Sequence, residues 1–245
     1  MADFSFRVMS YNLHSGIGMD GKVDYDRMAN VIAKTGAELA GLQEVAIGHP
    51  KAPGTDPLRI MGKLLNRKGI FGKAFAAGGE GQKYDYGIGV LGKWDMEEVE
   101  ILRLPCPEGA EPRIGMIVRV RGPEPFYFLC THLSFEETPE FDRVRLEQMT
   151  VLMECVKRKG YFPAVLVGDF NASPDSPCVR GLKKEWALAD DRELTFPSVV
   201  PNVKIDYIAW YPRTAFSSRS FRVVDETLAS DHRPVIADLT LNRSR

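Results

Sequence analysis

Cysteine, histidine and net charge are all scarce in this chain: four cysteines, four histidines and a formal charge of −1 over 245 residues. The cysteines (Cys106, Cys130, Cys155, Cys178) show no CxxC spacing, which argues against a zinc site built on them. Cys130 falls in a strand-like run and Cys155 in a helix-like one, so they read as reduced core thiols. The histidines lack the HExxH spacing of a catalytic zinc site, and no GxSxG elbow supports a covalent serine mechanism. No apolar run approaches the ~18–20 residues of a membrane span, so stable membrane insertion is not expected. Met1 to Arg7 has no basic stretch followed by an apolar core, which gives no secretory leader and an expected cytoplasmic location. With a pI near 6.5, nothing attracts nucleic acid globally. The small basic clusters at Lys157-Arg158-Lys159 and around Arg213, Arg219 and Arg222 read as solvated surface. No low-complexity linker divides the chain, and a single domain over 1–245 is expected.

What the chain does have is a series of polar residues placed where apolar strands end. Val165-Leu166-Val167-Gly168 delivers Asp169 and Asn171, two residues apart, to a strand end. Side chains alternate along a strand, so this spacing predicts that both point the same way. Ser10-Tyr11-Asn12, Leu42-Gln43-Glu44 and Cys130-Thr131-His132 end three other strand-like runs. Lys204-Ile205-Asp206 and Ser230-Asp231-His232-Arg233-Pro234 complete the set. Each fragment alone has a plainer reading: Asn12 a turn residue, Glu44 a solvated acid, Asp231-His232 a loop before Pro234. Asp206 resists that treatment, because the apolar residues around it place a charge in a strand interior where it needs a partner. Six such ends together point to one shared site.

Helix and strand signals alternate at first. Phe6–Leu13 and Leu39–Val45 read as strands, with an Asp24-capped helix through Lys34 between them. Asp56-Pro57 opens a second helix expected to turn Ile60, Met61, Leu64 and Leu65 inward. Successive strands follow at 73–77, 86–93, 99–104, 114–120 and 126–132, a meander that predicts antiparallel pairing. Thr138-Pro139 starts a long helix to about Lys159, Ser176-Pro177 a short one, and strands at 204–211, 220–224 and 234–241 end the chain. This order predicts two sheets packed face to face with helices outside.

The ordered blocks SYNLH, LQEV, THLS, GDFNA, KIDYI and SDHRPV resemble the endonuclease/exonuclease/phosphatase superfamily of Mg²⁺-dependent phosphoesterases, over Phe4 to about Leu239. The resemblance implies a four-layer α/β/β/α sandwich of two mainly antiparallel sheets, with the site at one end. It implies Mg²⁺, with Mn²⁺ as a substitute, held by Glu44, positioned by Asn12, and with Asp231 as a second ligand. Asp169 would orient and deprotonate the attacking water, and Asn171 would hold a phosphoryl oxygen. His232 would contact the phosphate or act as acid/base, oriented by Asp206. His132 would donate to a non-bridging oxygen or help protonate the leaving group. Arg113 reads either as a phosphate clamp, because its fork matches two oxygens, or as an ordinary strand-end charge. One departure stands out: where many relatives carry a site amide, this chain has Ile88.

Substrate choice in such a scaffold belongs to loops, and two are long, Ala46–Pro57 and Ala76–Tyr86. Tyr84 or Tyr86 could stack on a base or simply line the rim. The expected activity is hydrolysis of a small or lipid-derived phosphoester, the alternative a nuclease acting on DNA or RNA. A catalytically inactive binding module fits poorly with Glu44, Asp169, Asn171, Asp206 and His232 all in place.

Overall fold

The apolar run Phe4–Asn12 forms the first strand, β1, and the next, Leu39–Ile47, forms β2 beside it. In the computed structural model, which describes residues 4–79, 82–190 and 192–242, these two strands run parallel. The helix between them, α1 (Tyr25–Thr35), makes the crossover that a parallel pair requires. Asp24 caps it by accepting from Arg27 N at 2.8 Å, and Gly36 closes it at φ 69°. α2 (Pro57–Leu65) begins with Asp56 as its cap and Pro57 in the first turn. Its inward face is Leu58 and Met61; Leu64, expected inside, is 55% exposed. With nine residues the helix covers the sheet along only one short stripe.

The meander proves to be divided. β3 (Lys68–Ala77) and β4 (Tyr84–Gly92) pair with each other and with β2. β5 (Asp95–Arg103), β6 (Ile114–Arg121) and β7 (Phe126–His132) belong to the second sheet. β3 starts five residues and β5 four residues earlier than expected, because neither 68–72, with adjacent Ile70 and Phe71 between glycines, nor 95–98, with one apolar residue among three acids, carries a full alternating signal. The long helix α3 (Pro139–Lys159), capped by Thr138, then crosses over to β8 (Ala164–Asp169), which runs parallel to β7. After α4 (Pro177–Lys183) come the two-residue β9 (Ala187–Leu188), β10 (Asp206–Tyr211), β11 (Phe216–Val223) and β12 (Val235–Leu241). β9 is too short to leave a periodic trace in sequence.

The sheets have the orders β11-β12-β1-β2-β4-β3 and β5-β6-β7-β8-β10-β9, each with one parallel pair, so the expected four-layer sandwich is observed. Phe6, Val8, Val90, Met116, Phe128 and Val167 belong to the core between the sheets. A second core lies under α3 and α4 and a third under α1 and α2. The approach of the sheets is tight beneath the site. A side chain at Gly41 of β2 would collide with Val167 of β8 and come within 3.1 Å of Cys130 Sγ on β7. Cys130, Cys155 and Cys178 are buried thiols, while Cys106 is exposed. Among the described residues, no helix is long and apolar enough to cross a membrane. Met1 to Asp3 of the expected leaderless start, and Gly81 of the glycine-rich loop, lie outside the described residues.

Candidate active site

The two parallel pairs point their carboxyl ends the same way, and the polar residues collect there. β1 ends in Asn12 and β7 in His132, both at most 4% exposed. β8 ends in Asp169, directly across from Asp206 at the start of β10. Glu44 sits on a bulge of β2, where the register against β4 shifts between Leu42 and Val45. Its φ of 53° is uncommon for a residue other than glycine. The bulge re-aims the carboxylate out of the strand's alternation. Asn171, with φ 47°, has likewise left the strand, so the alternation that predicted its direction does not govern it. A tight turn brings it back instead: Asn171 N donates to Asp169 Oδ1 at 2.9 Å. Positive φ at two polar positions of the site is the kind of local strain found at functional sites.

Asn12 links the two sheets. Its Nδ2 donates to Glu44 Oε1 at 2.9 Å and to Asp169 Oδ2 at 3.1 Å, while its Oδ1 accepts from His14 N at 2.9 Å. The His14 contact fixes which end of the amide faces the carboxylates. Ser230 Oγ donates to Asn12 O at 2.7 Å and thereby ties the loop before β12 to the same point. That loop carries His232, whose Nδ1 lies 3.1 Å from Asp206 Oδ2 and whose Nε2 lies 3.6 Å from Asp169 Oδ2. The ring of Phe196 backs it at 4.7 Å between centroids. Asp231 lies beside His14, Oδ1 to Nδ1 at 3.8 Å.

Burial and charge set the protonation pattern. Burial pushes the Asp169 carboxyl up, and nearby Asp206 adds to the effect, while His232 and two hydrogen bonds oppose it. Burial pulls His232 down, but the Asp206 and Asp169 carboxylates together outweigh it and raise the imidazolium to about 10. His132 goes the other way: burial, then the charges of Arg113 and His232, hold it well below its usual value. The neutral ring fits its contacts. Asn171 Nδ2 donates to Leu133 O at 3.1 Å and lies 3.1 Å from His132 Nε2, so that nitrogen accepts and the proton sits on Nδ1.

Arg113, just ahead of β6, is 4% exposed and pairs with Glu111 at 3.0 Å, beneath the ring of Phe135 at 5.6 Å. Tyr86 packs on Phe75 at 5.1 Å, and burial pushes its phenol upward; Tyr84 meets His49 edge-on at 5.1 Å. Glu111, Phe135, Phe196, Ser230 and His14 were not anticipated. Ser230 and His14 flank anticipated residues, and Glu111 stands two before Arg113, so their neighbours were a usable signal. Phe196 carries none, since it reaches His232 only through the tertiary fold.

Two places could hold a cation. Asp169, Asp206 and His232 offer ligand atoms within 4.8 Å of one another, but the imidazole already sits between the two carboxylates with a nitrogen facing each. Glu44 fits better, being half-buried, with one oxygen held by Asn12 and the other accepting no hydrogen bond among the described residues. Hard Mg²⁺ keeps several waters and needs only one or two carboxylates.

The sequence model of the Endonuclease/Exonuclease/phosphatase family matches residues 9–232. No curated protein matches the chain in sequence. An endonuclease/exonuclease/phosphatase from Beutenbergia cavernae DSM 12333 is 25% identical with a TM-score of 0.80, over 97% of this chain and 72% of that one. The mannosyl-6-phosphatase of Bacteroides thetaiotaomicron VPI-5482 is 20% identical with a TM-score of 0.75, over 96% and 99% of the two chains. The human Nocturnin catalytic domain is 16% identical with a TM-score of 0.71, over 98% and 97%. With the family model spanning nearly the whole chain, and the polar strand ends gathered at one end of a four-layer sandwich, the protein belongs to the endonuclease/exonuclease/phosphatase family of phosphoester hydrolases.

Proposed function

We propose that the protein is a Mg²⁺-dependent hydrolase of a small or lipid-derived phosphoester, using a water activated by Asp169. The observation that carries this reading is the Asn12 bridge, one amide group donating to both Glu44 and Asp169. Two carboxylates, one half-buried and one buried, thus flank one amide, which supports giving the cation to Glu44 and the proton transfer to Asp169. When bound, Mg²⁺ supplies positive charge to the phosphoryl oxygens. Asp169 takes the proton of the attacking water, its carboxylate aimed by Asn12 and by the Asn171 N–H. His232, charged and held by Asp206, faces the phosphate as a donor. Asn171 turns its amide from His132 to a phosphoryl oxygen, and the freed His132 Nε2, 3.5 Å from Asp169 Oδ2, takes over the proton that Asp169 gained from the water and passes it toward the leaving group. Arg113 clamps two phosphate oxygens, and Asp231 stands as a further ligand on the His14 side.

A nuclease is the second reading. The 52%-exposed ring of Phe135 over the Arg113 guanidinium favours it, since aromatic faces beside cationic groups hold single strands. The deciding experiment is Mg²⁺-dependent release from p-nitrophenyl phosphate, bis-p-nitrophenyl phosphate, lipid and inositol phosphates and plasmid DNA, with the Asp169→Ala protein alongside. Turnover of small or lipid esters that disappears in the variant supports the first reading. Plasmid nicking that disappears with it supports the second. Activity that survives the substitution refutes the assigned base.

A further inference from the structure

A cleft of about 490 Å³ opens beside the catalytic end, between the start of α3 and the turn that leads into α4. Its volume is in the range that holds a small ligand. Asn171 is one of its walls, and the same side chain contacts His132, so the cleft adjoins the reacting end of the site. The lining chemistry is one-sided. Glu137, Asp142 and Asp175 contribute three carboxylates, against the single guanidinium of Arg145. Asp142 already holds that guanidinium at 2.7 Å, and the Ser134 and Glu136 carbonyls take its other terminal nitrogen at 2.9 Å each. Arg145 is 4% exposed, and its buried Nε–H has no acceptor among the described residues. The rings of Pro139 and Pro177 supply the apolar part of the lining.

On the hydrolase reading above, we infer that this cleft takes the alcohol half of the substrate, and that this half is an uncharged, polyhydroxylated ring such as a hexose. Carboxylates are acceptors without protons of their own, so they are matched by hydroxyl groups. A second phosphate here would meet two carboxylates with no neutralising cation and would be repelled. A purely apolar group would strip water from those carboxylates without replacing its hydrogen bonds. A hydroxylated ring answers both needs, with O–H groups for the acids and C–H faces for the prolines.

The test compares kcat and KM for a hexose 6-phosphate, ethyl phosphate and a short oligonucleotide, using the wild type and Glu137→Ala and Asp175→Ala. Both positions are exposed and outside the catalytic set, so the variants fold. The expected result is a wild-type preference for the hexose ester of ~10-fold or more in kcat/KM, in line with lost polar partners in its competitor. The variants raise KM for that ester alone and leave ethyl phosphate unchanged. Equal rates on hexose and ethyl esters, unaltered hexose KM in both variants, or a preference for the oligonucleotide overturns the assignment of the cleft while leaving the hydrolase intact. Silence on every ester sinks the hydrolase reading itself, and this inference with it.

Discussion

The two sheets share one plan and differ in what they put at its end. In each, a parallel pair bridged by a helix forms the centre, and an antiparallel strand flanks it on either side. The second strand of each pair ends near a carboxylate, Glu44 in one sheet and Asp169 in the other. A cationic group precedes the strand on the far side of each pair: His232 before β12, Arg113 before β6. Yet Glu44 is half-buried, with one oxygen that accepts no hydrogen bond among the described residues, whereas Asp169 is 1% exposed and held from three sides. Equivalent positions in the frame thus receive different surroundings. The open carboxylate suits a hydrated cation, and the enclosed one suits proton transfer. The working pairs also cross between sheets, Asn12 with Asp169 and His232 with Asp206, so neither sheet carries a site alone.

Removing the enclosed carboxylate is expected to cost most. Asp169→Ala should lower kcat by ~10²-fold or more, the loss expected of a positioned general base, with the melting temperature near that of the wild type. Burying a carboxylate that is pushed upward stabilises nothing at neutral pH, so no large loss of fold accompanies the loss of rate. Near-normal turnover in that variant would dissolve the distinction between the two carboxylates.

The open carboxylate answers to a different measurement. Glu44→Gln keeps the shape and the Asn12 contact but removes the charge, so the Mg²⁺ concentration for half-maximal activity should rise ~10-fold or more, the scale for perturbed metal sites. Rate at saturating Mg²⁺ should recover in part. If the metal dependence is unchanged, the cation belongs with the other acids, and the contrast between the sheets is reversed.

Asp206→Asn sharpens the comparison on its electrostatic side. His232 has a raised pKa, so its stabilising contribution is complete below its unfolded value of 6.5 and is lost as pH rises toward about 10. Metal-free wild type should therefore lose stability to urea between pH 6.5 and 10, and Asp206→Asn should lose less over the same window. A steeper decline in the variant would show that Asp206 does not hold the charge on His232.

The gathering of these groups was legible in the chain, but the contrast between them was not. Asn12, His132 and Asp169 reach one end because apolar runs mark where their strands stop, and Glu44 on the β2 bulge, Asp206 at the start of β10 and His232 in the loop before β12 join them there. Their burial was not legible. It depends on how closely the sheets meet, at Gly41 against Cys130 and Val167, and such contacts join residues about 90 to 125 positions apart. The division of the meander was hidden for the same reason. Nothing local between β4 and β5 signals that the chain changes sheets, since both strands remain strand-like on either side of the crossing.

Arg113 offers the smallest and most discriminating change. Its guanidinium lies beneath Phe135 and beside Glu111, so its direction is fixed before any phosphate arrives. A fork held that way can meet two oxygens at once, whereas a lysine ammonium presents a single point charge. Arg113→Lys should therefore weaken phosphate binding more than chemistry, raising KM by ~5–10-fold while kcat changes by less than ~3-fold. Inorganic phosphate as a competitive inhibitor should lose affinity in parallel, because it depends on the same two oxygens. If kcat falls and KM holds, Arg113 acts only on the transition state, and its sheet supplies chemistry from both of its charged ends.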